Sequence, residues 1–186
     1  MKTRNYQGLV LFDIDGTLST GTENEKVVQY FLNNNYAVGI STAGPMYNPK
    51  NILNFSWMPK NLGLFMVENN FDTFNNVITH ILCGKFDPTV YNTKIGDISI
   101  YDIVGWNKGL SMKKTAELYN ITDPKKIILF DNDPNIIRGG NKYNKEFSII
   151  CAGQPCSNRN LSMDTVRNLF HQKKPLTAGT FNLFNL

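Results

Sequence analysis

The sequence predicts one α/β domain in which a central parallel β-sheet carries helices on both faces. Runs of mostly apolar residues recur along the chain, at positions 9–12, 36–40, 126–130 and 147–151. Strands of parallel sheets are buried on both faces and therefore have this nearly continuous apolar character. Segments with helical spacing separate the runs, and this alternation is typical of βαβ units. A chain of 186 residues without a flexible linker is expected to form a single domain, 1–186.

The first third of the chain shows the alternation most clearly. Residues 9–12 and Ile14 predict a buried strand, after which Gly16 turns the chain. Residues 23–32 predict a helix, because their apolar side chains fall on one face: Val27, Val28, Phe31 and Leu32. An asparagine run ends this helix, and residues 36–40 predict the second strand.

Residues 45–105 give weaker patterns, and this interval is where a small cap or insertion could lie. Residues 59–67 predict a helix. Residues 77–82 fit either a strand or a buried helical turn. Residues 98–104, in which apolar positions nearly alternate, predict a strand or the arm of a hairpin.

The last third of the chain returns to regular alternation. The predicted elements are a helix at 106–119, a strand at 126–130, a helix at 135–139, a strand at 147–151 and a helix at 162–171. Pro134 suits the first turn of the helix predicted at 135–139, because proline lacks the amide hydrogen that a first turn leaves unpaired. Residues 175–186 give no assignment.

Composition narrows the class of protein. The chain has 19 basic and 15 acidic residues, a net charge of +4 that favours anionic partners without forming a concentrated basic patch. Its three cysteines show no C-x-x-C spacing, so we expect free, small apolar side chains in a reducing compartment. Because no apolar run approaches the length of a membrane span, we expect a soluble cytoplasmic protein without membrane partners.

Paired aspartates follow directly on the first strand. Asp13 and Asp15 are separated by one residue, and Gly16 and Thr17 come next. They are expected at the carboxyl end of a central strand, where open α/β sheets bind ligands. A simple turn would also use Asp and Gly, but like charges this close repel unless a cation or a shared proton neutralises them. The pattern therefore favours a metal site.

Polar residues also end the second and third predicted strands. Ser41 and Thr42 follow the second strand, and Asp131 opens a polar cluster after the third. Lys108 lies near the expected start of the helix that precedes the third strand. Carboxylates from two strands favour a hard cation such as Mg²⁺, and a lysine beside a hydroxyl favours a phosphate group. These are the groups needed for phosphoryl transfer to an aspartate nucleophile.

The same residues resemble the four motifs of the haloacid dehalogenase (HAD) superfamily of phosphohydrolases, in the same order. The motifs correspond to residues 12–18, 40–42, 107–109 and 129–133. The resemblance frames residues 8–140 and implies the three-layer, Rossmann-like fold of that superfamily. An aspartate in the second acidic position, Asp15, is the phosphatase form of the first motif.

The resemblance also implies a role for each residue. Asp13 would attack phosphorus, and Asp15 would protonate the leaving oxygen and later activate water. Mg²⁺ would be held by Asp13, the backbone carbonyl of Asp15 and Asp131. Lys108 would neutralise charge around the aspartyl-phosphate, and Thr42 would donate a hydrogen bond to a phosphoryl oxygen. The implied substrate-binding residues are Thr42, Ala43, Lys108 and Gly16.

Some assignments stay open at the level of sequence. The fourth motif often has paired acids, whereas here Asp131 is followed by an asparagine, so the roles of Asn132, Asp133 and Asn135 are undetermined. Either hydroxyl after the second strand could bind phosphate, with Thr42 favoured because a small-residue loop follows it. The interval between the first two motifs is too short for a cap beyond one helix, which favours a capless or minimally capped enzyme.

The hypothesis is a Mg²⁺-dependent phosphomonoesterase that acts on a phosphorylated metabolite or on a macromolecule such as a protein. An open site and the positive charge make a nucleic-acid 3′- or 5′-end phosphatase the alternative enzyme. A HAD-fold binding or regulatory protein without turnover is the alternative from another class.

Overall fold

The computed structural model describes residues 5–42, 54–69, 100–143 and 145–171. Predictions for 77–82, for 175–186 and for the binding role of Ala43 therefore lie outside the described residues. The same is true of most of the interval in which a cap was considered.

A parallel sheet forms the centre of the described chain. Its strands are β1 (Gly8–Phe12), β2 (Tyr36–Ile40), β3 (Ile127–Asp131) and β4 (Ser148–Cys151). They are ordered β2-β1-β3-β4, and each neighbouring pair is parallel. Every residue of β1, β2 and β3 is buried, which explains the apolar runs. The predicted α/β class with a parallel sheet is confirmed, and the arrangement is consistent with a Rossmann-like fold.

The α-helices of the described residues are α1 (Asn24–Asn33), α2 (Lys60–Glu68), α3 (Ile100–Leu118), α4 (Pro134–Tyr143) and α5 (Met163–His171). α1 contacts α2 and α5, whereas α3 packs against α4. Phe12 of β1 contacts Phe31 of α1, whereas Asp13, the next residue, accepts a hydrogen bond from Lys108 of α3. Because successive strand residues point to opposite faces, the two groups of helices cover opposite sides of the sheet.

Aromatic rings fill the core beneath the carboxyl ends of β1 and β3. The Phe12 and Phe130 rings stack with centroids 5.5 Å apart, and Phe31 packs edge-on to Phe12 at 6.3 Å. All three side chains are fully buried. Burial of a side chain of this size contributes roughly 2 kcal/mol to folding, so the packing holds the two strand ends side by side.

Acidic residues at the start of α1 anchor two other helices. Glu23 accepts a hydrogen bond from the Met163 backbone N–H at 2.9 Å, at the start of α5. This bond, together with Lys26, lowers the pKa of Glu23 below its ordinary value. Glu25 accepts bonds from the backbone N–H groups of Lys60 and Asn61 at 2.8 and 3.1 Å, at the start of α2. The otherwise unpaired amides of both helices are therefore satisfied from α1.

The prediction of a strand or hairpin arm at 98–104 is wrong for residues 100–104. These residues belong to α3, which begins at Ile100. Apolar residues at positions 98, 100 and 104 fit alternation, whereas those at 100, 103 and 104 fit helical spacing, and the longer helical segment prevails. Lys108 consequently lies well inside a helix rather than at its start.

No helix in the described ranges combines the length and apolar character needed to cross a membrane.

Candidate active site

Asp13 follows β1 at the carboxyl edge of the sheet. Its backbone N–H donates to the Phe130 carbonyl at 2.9 Å, so the β1–β3 ladder fixes its position. A wide turn over residues 14–18 comes next, closed by a bond from the Leu18 N–H to the Asp13 carbonyl at 3.2 Å. Gly16 in this turn has φ of +75°, a conformation that favours glycine. Asp15 is exposed in the turn, whereas Asp13 is 6% exposed.

Lys108 joins the carboxylates of two neighbouring strands. Its Nζ lies 2.7 Å from Oδ1 of Asp13 and 2.6 Å from Oδ2 of Asp131, with the lysine side chain fully buried. Asp131 is also fully buried. The lysine enters from α3, on the face of the sheet opposite α1. Three residues separated by long stretches of chain therefore form one charged cluster.

The remaining oxygen of Asp131 is held by the start of α4. Its Oδ1 accepts a hydrogen bond from the Asp133 backbone N–H at 2.9 Å, and Asp133 in turn accepts one from the Asn135 N–H at 2.8 Å. Asn135 accepts a bond from the exposed Arg138 side chain. These bonds give Asp133 and Asn135 a structural role at the helix start and orient the Asp131 carboxylate.

Burial controls the charge states in the cluster. Burial raises the pKa of Asp13 to about 7; the Lys108 ammonium opposes the rise, and the Asp131 carboxylate adds to it. Burial also disfavours the charge on Lys108, but the carboxylates of Asp13 and Asp131 hold its pKa above the ordinary value. Lys108 therefore stays charged through the neutral range, while Asp13 exchanges a proton there.

The donor set fits a hard cation that keeps part of its water shell. Within the described residues, no three His, Cys, Asp or Glu side chains converge as metal ligands. Two carboxylates on adjacent strands do converge, Asp13 and Asp131, both buried and both oxygen donors. Mg²⁺ is typically bound by one or two carboxylates together with waters and substrate phosphate, so this set suits it.

Two hydroxyl side chains lie at the end of β2. The Ser41 N–H donates to the Phe12 carbonyl at 3.0 Å, which continues the ladder and places Ser41 beside Asp13. Ser41 is fully buried, and its Oγ has no hydrogen-bond partner among the described residues. Thr42 is also buried, at 1% exposure. An unpaired buried hydroxyl is costly, and a bound ligand oxygen would satisfy it.

The sequence did not predict the segment that backs the turn after Asp13. This segment, the β4 loop (residues 152–156), follows β4, and its Ala152 carbonyl accepts a bond from Thr17 Oγ1 at 3.3 Å. Asn132 donates from Nδ2 to the Gln154 carbonyl at 2.6 Å. A Cβ at Gly16 would collide with the Asn132 amide, so glycine is needed there for space as well as for φ. Asn132 therefore bonds the start of α4 to the β4 loop and lies against Gly16 of the turn.

The expectation of free cysteines is wrong for one pair. Cys151 and Cys156 form a disulfide, with their Cα atoms 5.9 Å apart. The pair closes the β4 loop, and β4 lies beside β3, with Cys151 in register with Asp131. The sequence signal was the short spacing of the two cysteines around a Gly-Gln-Pro turn, which gains meaning only when the turn is seen to fold back.

The predicted residues thus fall into three groups. Asp13, Lys108 and Asp131 meet in the charged cluster. Asp15 and Gly16 lie in the adjoining turn, and Thr42 follows Ser41 at the end of β2. Comparisons with protein-family models, with curated proteins and with solved structures found no match for this chain.

Proposed function

We propose that this protein is a Mg²⁺-dependent phosphomonoesterase of the HAD type, acting through an aspartyl-phosphate on Asp13. The observation that carries the proposal is the buried Lys108 ammonium between Asp13 and Asp131, at 2.7 and 2.6 Å. It lies at the carboxyl edge of a parallel sheet, which is where such folds bind ligands.

A purely structural role is a poor explanation of this cluster. Buried ion pairs lose so much hydration that packed apolar side chains often replace them without loss of stability. The neighbouring core already holds β1 and β3 together through the Phe12–Phe130 stack. A lysine and two carboxylates at the carboxyl edge of a sheet, with the pKa of Asp13 raised, are instead typical of a reactive site.

The geometry supports a two-step reaction. In the first step an oxygen of ionised Asp13 attacks phosphorus, the ester P–O bond breaks, and Asp15 donates a proton to the leaving oxygen. In the second step Asp15 removes a proton from water, and the water oxygen bonds to the same phosphorus. The bond between phosphorus and the Asp13 oxygen then breaks, which frees Asp13 as a carboxylate and releases inorganic phosphate. Lys108 neutralises negative charge beside the acylphosphate throughout.

Bound Mg²⁺ would supply Lewis-acid stabilisation of the phosphoryl oxygens. Asp13 and Asp131 would hold it, together with the backbone carbonyl of Asp15. The Asp133 backbone N–H keeps the Asp131 carboxylate in one orientation for this purpose. Ionised Asp13 is needed both for the metal and for attack, so the raised pKa of Asp13 makes both depend on pH.

The test is release of inorganic phosphate, with and without Mg²⁺, from a panel of phosphorylated metabolites, phosphopeptides and 3′- or 5′-phosphorylated oligonucleotides. Asp13→Asn should lower turnover on the order of a thousandfold or more, since the nucleophile is lost. Asp164→Asn is the matched control, because Asp164 is 73% exposed on α5 and pairs only with Arg167 of the same helix among the described residues.

The outcome separates the competing functions. Turnover confined to oligonucleotides, and falling steeply with salt, would identify the nucleic-acid end phosphatase. Absence of turnover on the whole panel, with Mg²⁺ still bound, would identify a non-catalytic binding protein. Full activity of Asp13→Asn would contradict the proposed mechanism.

A further inference from the structure

The disulfide between Cys151 and Cys156 lies one strand away from the charged cluster. Cys151 is the last residue of β4 and is in register with Asp131 of β3. Cys156 donates from its backbone N–H to the Asn132 carbonyl at 3.2 Å, just after Asp131. Both cysteines are partly exposed, so a small thiol can approach the bond.

Between the two cysteines, the β4 loop is bonded to the segments that carry the site. Its Ala152 N–H donates to the Asp131 carbonyl at 2.8 Å, and its Ala152 carbonyl accepts from Thr17. Gln154 accepts from the Asn132 side chain at 2.6 Å. The loop therefore links the turn after Asp13 to the start of α4.

Glycine allows the β4 loop to pass close to that turn. Gly153 has φ of +108°, and a Cβ there would collide with the Gly16 carbonyl oxygen. The Gly153 N–H donates to the Arg159 carbonyl at 2.9 Å, and the Gly153 carbonyl accepts from Ser157 at the same distance. The turn after Asp13 is thus supported by backbone that the Cys151–Cys156 disulfide closes.

We propose that Cys151–Cys156 is a thiol–disulfide exchange site, and that its redox state sets the order of the turn after Asp13. The reaction partner is a small thiol of the glutathione or dithiothreitol class. A thiolate attacks one sulfur, the Cys151–Cys156 bond breaks, and the released cysteine thiolate takes up a proton. A second thiol then displaces the mixed disulfide, so that two partner thiols are oxidised to one disulfide and both cysteines become thiols.

Reduction removes the covalent closure while leaving the sheet intact. The loop is short, so its closure restricts the few residues that follow β4. Opening should spread through the bonds to Asn132 and Thr17, and so to residues 14–19. α2 packs against α1 and β2, so its peptides serve as the internal reference.

Hydrogen–deuterium exchange of the full chain, oxidised and after treatment with dithiothreitol, tests the site. Peptides covering 14–19 and 152–157 should exchange about tenfold faster in the reduced protein, while peptides from α2 stay unchanged. Alkylation under denaturing conditions should label only Cys83 before reduction and all three cysteines after it. These readouts do not require phosphatase activity, so they stay distinguishable from a failure of the proposed function.

Two cysteine variants extend the comparison of oxidised and reduced protein. Cys156→Ser should reproduce the fast exchange at 14–19 without reductant and should no longer respond to it. Cys83→Ser is the matched control and should respond as the unaltered chain does. Equal exchange at 14–19 in the oxidised and reduced protein would overturn the proposal, as would labelling of all three cysteines before reduction. Both of those outcomes are read on the unaltered chain and do not depend on the folding of a variant.

Discussion

At the scale of single residues, the site is defined by how buried charges are balanced. Lys108 contributes one positive charge, and Asp13 and Asp131 contribute two carboxylates within 2.7 Å of it. One carboxylate thus exceeds the available positive charge, and burial raises the pKa of Asp13 to about 7 in response. The cluster therefore has room for one further cation or one proton.

This balance predicts a pH dependence of stability for the metal-free protein. The pKa of Asp13 is about 7 in the folded chain and near 3.8 in the unfolded chain, so the folded state binds the extra proton between these values. The Asp13 contribution to the free energy of unfolding is therefore complete below about pH 4 and is lost as pH rises to about 7, on the order of a few kcal/mol. Urea denaturation in EDTA from pH 4.5 to 8 measures it. In Asp13→Asn the free energy of unfolding should depend less on pH. Parallel pH curves for the variant and the unaltered protein would contradict the assignment of this dependence to Asp13.

The hydroxyls at the end of β2 give a second prediction at this scale. Because Ser41 lies beside Asp13 with an unpaired buried Oγ, we expect it, rather than the Thr42 favoured from sequence, to donate to a phosphoryl oxygen. Ser41→Ala should lower kcat/KM about tenfold to a hundredfold, the loss expected for a hydrogen bond to a charged group. Ser41→Thr keeps a hydroxyl and should therefore retain much of the kcat/KM that Ser41→Ala loses. Steady-state kinetics on the best substrate of the panel measure the effect, with Thr42→Val as the matched comparison. A larger loss in Thr42→Val would return the role to Thr42.

At the scale of elements, the strand ends supply the carboxylates of the proposed active site, and a helix supplies its lysine. β1 and β3 carry Asp13 and Asp131 to one edge, and α3 carries Lys108 across the opposite face from α1. α1 has a separate task, because Glu23 and Glu25 satisfy the first amides of α5 and α2. The position of these helices therefore depends on acids that lie outside them.

Removal of one of these acids should loosen a single helix. Glu25→Ala leaves the Lys60 and Asn61 N–H groups without their acceptor, and the free energy of unfolding should fall by about 1 kcal/mol. Glu117→Ala, at an exposed position on α3, is the matched control and should change stability by less than half of that. Chemical denaturation of both variants measures the difference. Equal losses would show that the amides of α2 are satisfied by water as well as by Glu25.

Sequence patterns predicted the elements whose signal is local. Continuous apolar runs identified the strands, because the strands of a parallel sheet are buried on both faces. The start of α3 was missed, since apolar residues at 98, 100 and 104 alternate while those at 100, 103 and 104 have helical spacing. The burial of Lys108 followed from that start and from packing on β1 and β3, neither of which a local pattern contains. The β4 loop was missed for a related reason: its bonds to Thr17 and Asn132 join segments far apart in the chain.

At the scale of the whole molecule, the site exists only when the sheet is assembled. Asp13 and Lys108 are 95 residues apart in the chain, and Lys108 and Asp131 are 23 apart. In the unfolded chain these carboxylates do not converge, so a divalent cation that needs both binds the folded state alone. Under the proposed function, metal binding is therefore coupled to folding, and stability should rise with metal concentration.

The last prediction follows from this coupling. At neutral pH, MgCl₂ at about ten times its dissociation constant should add about 1.4 kcal/mol to the free energy of unfolding and raise Tm by a few degrees. The shift should shrink below pH 6, because protonated Asp13 is a poor ligand. Thermal denaturation at constant ionic strength, with NaCl as the salt control, measures it. Asp131→Asn should abolish the shift, since an amide can keep the bond from the Asp133 N–H but supplies no charge to the metal. An unchanged shift in that variant would place the cation elsewhere on the chain and separate Asp131 from the metal.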